Sequence, residues 1–251
     1  MKATIMLAVC TLVLVIGSAT TQGAELILDG DFEGQLAVDG IPAAAPWTTF
    51  TQLGSSQQNF YIDTPGTSTP ISSRPTVATP ANGQRYAVTD QTGAGATALL
   101  QTFTVPAGTT ALNLSFDLFV NDSDGGPIVD ASGLDHTSNG TGAPNQHARV
   151  DILTATSAPL STAAADVVFN VVPPFVDPQA TNPNSFTSYD MSLPLLAPGT
   201  YQLRFAEVDN RNYFNLGVDN VSLTAIPEPA TLLTAALGLA GLVCAYRRGR
   251  K

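Results

Sequence analysis

Two short segments gather the side chains best suited to holding a cation. Near the start lies Asp29-Gly30-Asp31-Phe32-Glu33-Gly34, and near the end Val218-Asp219-Asn220-Val221-Ser222-Leu223. Side chains alternate along an extended chain, so Asp29, Asp31 and Glu33 share one side. Three like charges in a row destabilise one another unless something positive sits between them. By the same parity Asp219 points with Val221 and Leu223, as core residues would. A buried carboxylate is costly unless it is paired or bound to a metal. No Lys or Arg lies close by in sequence to neutralise Asp219. Ca²⁺ suits such a set, because it takes six to eight oxygen ligands, carbonyls included. A solvated Asp-Gly turn is the competing reading of the first segment. A second acidic stretch, Asn121-Asp122-Ser123-Asp124-Gly125-Gly126, lacks the closing Glu of an EF-hand and reads as a loop.

For catalysis the chain offers little. There is no GxSxG, HExxH, P-loop or dinucleotide fingerprint. Its two cysteines, Cys10 and Cys244, lie in hydrophobic ends, so the part between has neither a disulfide nor a Cys nucleophile. His136 and His147, eleven residues apart, match no zinc spacing. Glycoside hydrolysis needs two facing carboxylates, and Glu207 with Asp209 follows a strand. A chain this rich in carboxylates offers such pairs by chance, and the expectation is a protein that is not an enzyme. Aromatic rings can stack on sugars, and Tyr213, Tyr61 and Tyr189 are the ligand-binding candidates. Tyr213 follows the polar turn Asp209-Asn210-Arg211-Asn212, which favours exposure. The sole tryptophan, Trp47, reads as core.

The elements that would position these groups are strands. Leu112, Leu114, Phe116 and Leu118 alternate with polar residues, as do Tyr201, Leu203 and Phe205. Further strands are expected over 25–28, 47–53, 85–89, 98–105, 147–153, 167–172, 186–193 and 214–224. Turns such as Pro106-Ala107-Gly108 and Ala197-Pro198-Gly199 feed them. Short strands between turn-rich stretches predict an all-β sandwich of jelly-roll type. Two long segments, 64–83 and 121–146, read as loops, which at that length are functional or mobile.

The two ends are of a different character. Lys2, an apolar run from Ile5 to Ile16 and Gly17-Ser18-Ala19-Thr20 compose a secretory signal peptide, expected as a helix over 1–24. Cleavage after Ala19 and cleavage nearer Ala24 both fit. Cys10 belongs to its apolar run. At the other end Pro227-Glu228-Pro229 precedes the uncharged stretch Ala230 to Tyr246 and the basic cluster Arg247-Arg248-Gly249-Arg250-Lys251. The apolar stretch is long enough for a short transmembrane helix, and the cluster would hold its end in the cytoplasm. The body between, 25–226, keeps five arginines, no lysine and nineteen carboxylates, a net charge of −14. Such a surface excludes nucleic acid as a partner, since that needs a basic footprint.

The order Pro-Glu-Pro, apolar helix, basic terminus resembles the PEP-CTERM sorting signal of Gram-negative bacteria, here residues 227–251. The resemblance implies export, passage through the inner membrane on the C-terminal helix, and processing near Pro227, Glu228 and Pro229 by the protease-transpeptidase exosortase. It also implies an envelope that makes exopolysaccharide, and delivery to the cell surface or extracellular matrix. The opening Leu28 to Gly34, with Trp47 downstream, and the closing Val218 to Leu223 resemble the first and last strands of galactose-binding-like jelly rolls, a fold shared by many carbohydrate-binding modules. That resemblance implies a structural Ca²⁺ held by both ends, with Glu33 and Asp219 as side-chain ligands and Asp31 as a third candidate. The expected function is a non-catalytic exported module that binds or organises exopolysaccharide. The alternatives are a structural or adhesive surface protein without a sugar site, and a polysaccharide-modifying enzyme.

Overall fold

The computed structural model describes residues 22–36, 41–64, 66, 68–76, 83–122, 128–137, 140, 142–175, 183–211 and 213–228. The expected signal helix and transmembrane helix lie outside the described residues. Among the described residues twelve strands run in chain order: β1 Ala24–Glu25, β2 Ile41–Pro42, β3 Thr48–Thr51, β4 Asn59–Asp63, β5 Tyr86–Asp90, β6 Gly95–Val105, β7 Thr109–Asp122, β8 Gln146–Thr154, β9 Val167–Phe175, β10 Thr187–Leu193, β11 Gly199–Asp209 and β12 Phe214–Pro227. They form two antiparallel sheets. One has the order β10-β7-β12-β5-β4-β2, with β1 also paired to β12; the other is β3-β6-β11-β8-β9. The architecture is an all-β sandwich of the jelly-roll kind. Gly23–Ile226 is one compact unit.

Alternation explains the core. Leu112, Leu114, Phe116, Leu118 and Val120 of β7 face inward, as do Phe214, Leu216 and Val218 of β12, and all join the main hydrophobic cluster with Leu203 and Phe205 of β11. Fully burying one such side chain is worth about 1.5–3 kcal/mol. A file of rings crosses this core. Phe32 stacks on Trp47 at 5.4 Å, Trp47 meets Phe205 at 6.2 Å, Phe205 meets Phe116 at 5.4 Å, and Phe116 stacks on Tyr189 at 5.0 Å. The Trp47 indole donates to the Asp29 carbonyl at 2.8 Å, so the core reading of Trp47 holds and its polar edge is satisfied.

The sheets extend beyond the alternating runs. The strand of Tyr201, Leu203 and Phe205 continues to Asp209, so Glu207 and Asp209 lie within β11 and not after it. The strand β4 carries no alternation, because four of its five residues are buried, on both faces. On the outer face of the five-stranded sheet, Ala96, Ala98, Leu100, Ala206 and Val208 are covered by Leu134 and Leu160, which come from the connections between strands.

That outer layer also hides a charge cluster. Arg149 donates from Nε and Nη2 to the two Asp151 oxygens at 2.8 and 2.7 Å, and Arg204 donates from Nε and Nη2 to Asp151 Oδ2, which it shares with Arg149. Arg204 also caps the Pro159 and Ser161 carbonyls at 2.9 and 2.7 Å, tying the 155–163 connection to the sheet. Removing the one carboxylate would strand two guanidinium groups in a buried site. Asp151→Asn is therefore expected to destabilise the protein by about 3–5 kcal/mol in urea unfolding, whereas an exposed pair would cost under about 1 kcal/mol.

Candidate functional site

The N-terminal segment does lie against the last strand. Ala24 and Glu25 pair with Ala225 and Thr224, and the Val221 amide donates to the Gly30 carbonyl at 2.9 Å. A methyl group on Gly30 would stand 1.8 Å from the Val221 oxygen, so only glycine fits this approach. A groove of about 340 Å³ follows the junction, lined by Glu25, Asp29, Asp31, Asn220 and Ser222 among others.

The carboxylates there are engaged by the chain itself. Asp29 accepts from the Gly34 amide at 2.7 Å and from the Gln35 side chain at 2.5 Å. Glu25 accepts from the amides of Leu26, Ile27 and Leu223 and from the Ser222 hydroxyl. Asp31 is exposed and faces the Glu33 amide at 3.4 Å. One Glu33 oxygen accepts the amides of Gln84 and Arg85 at 2.5 and 2.9 Å. In return the Arg85 guanidinium donates to the carbonyls of Glu33 and Gln35 at 2.6 and 2.5 Å.

Asp219 is placed differently from its parity. Asn220 adopts a positive φ of 51°, and both Val218 and Val221 reach the core. One residue is thus inserted into the alternation, as in a β-bulge. Gly217 lies under the Phe119 ring on the outer face of the sheet, and Asp219 follows on that face. The expectation that Asp219 points with Val221 and Leu223 is corrected on this ground. Asp219 is fully buried, and one of its oxygens accepts the Asn220 amide at 2.7 Å.

The three calcium-ligand candidates sit in separate settings: Asp31 beside the Glu33 amide, Glu33 on the amides of Gln84 and Arg85, and Asp219 on the Asn220 amide. Among the described residues no group of three His, Cys, Asp or Glu could hold a metal ion. The carbonyls of Glu33 and Gln35 are capped by Arg85.

The three sugar-stacking candidates are also distributed in a way the sequence does not reveal. Tyr61 is 8% exposed in the middle of β4, with its hydroxyl donating to the Gln57 carbonyl, so it cannot present a ring to a ligand. Tyr189 is half-buried with one face against Phe116. Tyr213 is half-buried beneath Arg74, whose guanidinium carbon stands 4.3 Å from the ring centre. The three residues belong to separate contacts and compose no single platform.

Glu207 and Asp209 face the sandwich interior. Glu207 is 0% exposed and bridges the sheets, accepting from the Gln58 amide and the Thr89 hydroxyl. Asp209, equally buried, accepts from Gln91 at 3.0 Å and from the Arg211 amide at 2.8 Å. Desolvation raises the Glu207 carboxyl well above the usual range, and the charges of Asp209 and Asp90 add to this, while the Thr89 and Gln58 bonds oppose it. Buried His147, on β8, is pushed down to about 4, by desolvation first and by Arg149 second. Neither carboxylate is open to a polysaccharide, so the pair cannot serve as exposed catalytic acids.

What sequence reasoning missed is a groove of about 280 Å³ on the outer face of the five-stranded sheet. Thr48 and Phe50 of β3, Leu100 and Thr102 of β6, and Gln202 of β11 line it, with Leu28 at its rim. In register, Thr48 lies opposite Leu100 and Thr102 opposite Gln202, so these side chains share one face. Phe50 is 40% exposed and Leu28 64%. The available signal was Thr-Thr-Phe-Thr beside Trp47, a run whose outer members have nothing to cover them.

Residues 225–251 match the PEP-CTERM protein-sorting motif. No curated protein matches the sequence. Solved structures of similar outline include a cyclase from Fischerella sp. TAU, with 18% identity, 81% of this chain and 98% of that one covered, and a TM-score of 0.47. The K3 cleaved adhesin domain of Lys-gingipain from Porphyromonas gingivalis W83 gives 18% identity, 80% and 98% coverage, and a TM-score of 0.44. TmCBM61, solved with β-1,4-galactotriose, gives 9%, 80% and 97%, and 0.36. Likenesses at this level say nothing of what the chain binds or does.

Two outcomes are expected. Arg85→Ala should lower stability by about 2 kcal/mol in urea unfolding, the scale of a lost hydrogen bond from a charged group. The second concerns pH. A carboxyl whose folded pKa is raised stabilises fully below its unfolded value near 4.5 and loses that contribution as pH climbs through the folded value. Thermal unfolding from pH 4.5 upward should therefore show Glu207→Gln gaining on wild type as pH rises. The contribution of neutral His147, common to both proteins, is lost between pH 6.5 and about 4 as it protonates, and in wild type it opposes the Glu207 effect.

Proposed function

We propose that this chain is an exported module, sorted by exosortase to the cell surface or matrix, whose sandwich binds or organises exopolysaccharide without catalysing its turnover. The observation that carries this reading is the sorting motif over 225–251, which implies a secreted surface protein that exosortase processes. The signal-peptide pattern at the other end of the chain agrees with it. β12 runs to Pro227, the first residue of Pro-Glu-Pro. In the proposal the apolar stretch from Ala230 to Tyr246 holds the chain in the inner membrane until processing, with its basic end in the cytoplasm.

A binding role is favoured over catalysis by where the acids lie. Glu207 and Asp209 are enclosed in the sandwich, and the outer carboxylates at the N-terminal junction are engaged by backbone amides. Recognition needs only apolar surface and a few placed polar groups, which the outer face of the five-stranded sheet supplies.

The sorting half of the proposal is tested in a host that carries exosortase. Wild-type protein should appear as a shortened form outside the inner membrane, while a variant with Pro227, Glu228 and Pro229 all changed to Ala stays full length in the membrane fraction. Identical processing of both would overturn it.

A further inference from the structure

We infer that the groove on the outer face of the five-stranded sheet is the glycan site and that its ligand is a neutral polysaccharide, met by stacking on Phe50. The inference rests on the polysaccharide-binding reading above and gives it a place and a ligand class. None of the residues lining the groove is charged, although the body carries a net charge of −14. An anionic polymer approaching this face would meet repulsion from the body and find no cation in the groove. Two of the five body arginines, Arg149 and Arg204, do lie on this sheet face, but both are buried and committed to Asp151.

A neutral sugar ring has an apolar face of C–H groups and a rim of hydroxyls, and the groove has a counterpart for each. Leu100 forms an apolar floor, Phe50 presents an exposed ring beside it, and Leu28 extends the apolar rim. Thr48 and Thr102 supply hydroxyl groups, while Gln202 lines the groove with its amide nitrogen held by the Thr154 and Ala155 carbonyls. The volume, about 280 Å³, lies at the small end of ligand clefts, which suits a short stretch of a chain that continues past both ends. The three tyrosines do not compete for this role, being buried, stacked on Phe116 or covered by Arg74.

The test is affinity electrophoresis of the full-length chain in detergent, through gels holding galactan, glucomannan or dextran, against gels holding alginate as the anionic probe. At least one neutral polymer should retard the protein and alginate should not. Phe50→Ala should weaken that retardation at least tenfold, and Thr102→Trp, which fills the groove, should abolish it. Leu53→Ala, at a position 97% exposed and outside the groove, should change nothing. Circular dichroism confirms that each variant is folded. Undiminished retardation of both groove variants would overturn the site and leave the polysaccharide reading standing. Retardation by alginate alone would overturn the neutral class. No retardation in any gel would overturn the polysaccharide reading and the groove together.

Discussion

Carboxylates in this body have almost no cations to meet, and the structure follows from how they are satisfied instead. Five arginines serve nineteen acidic side chains, and among the described residues the only ion pairs converge on Asp151. Among the described residues, many of the other acids accept hydrogen bonds from the chain's own N–H and O–H groups. Asp90 takes the amides of Ile71, Ser72 and Gln91; Glu33 takes those of Gln84 and Arg85; Asp135 takes the Thr137 amide and the Gln52 side chain. Charge-assisted bonds of this kind are stronger than neutral ones. Each pins a connection to the sandwich, a task that disulfides perform in many exported domains.

This arrangement shapes what remains for recognition. Acids used as internal anchors are withdrawn from chemistry at the surface, and those nearest the core are withdrawn from solvent altogether. The aromatic file from Phe32 to Tyr189 likewise turns inward, whereas among the described aromatic residues Phe50 is the exposed one, at the β3 end of the five-stranded sheet's outer face. One place on the five-stranded sheet combines apolar contact with hydroxyl groups and has no fixed charge in its lining.

The two-sheet class was legible because several strands have one wet or partly wet face. Leu112, Leu114, Phe116 and Leu118 alternate with Asn113, Ser115 and Asp117, and a period of two emerges. It fails where both faces are covered. In β4, Phe60 and Ile62 enter the core while Tyr61 and Asp63 are buried beneath other segments, so neither the strand nor the burial of Tyr61 can be read from a pattern. The orientation of Asp219 was hidden for a different reason. A single residue in positive φ at Asn220 resets parity, and Asn tolerates that conformation without marking where it is used. The engagement of Glu207 by Gln58 and Thr89, residues 149 and 118 positions away, is a product of sheet stacking that no local spacing encodes.

β12 is the last strand of the sandwich in sequence, yet it lies in the interior of its sheet, between β7 and β5, and holds β1 as well. Sheets usually tolerate a late strand best at an edge, where its absence leaves the remainder paired. Here the remainder falls apart into separate ladders until residues 214–227 arrive. During synthesis and export the body must therefore wait, unclosed, for the C-terminal end of its own chain. Any chain cut short upstream of residue 214 lacks both its central strand and the sorting motif, so truncated products are left unclosed and open to proteases.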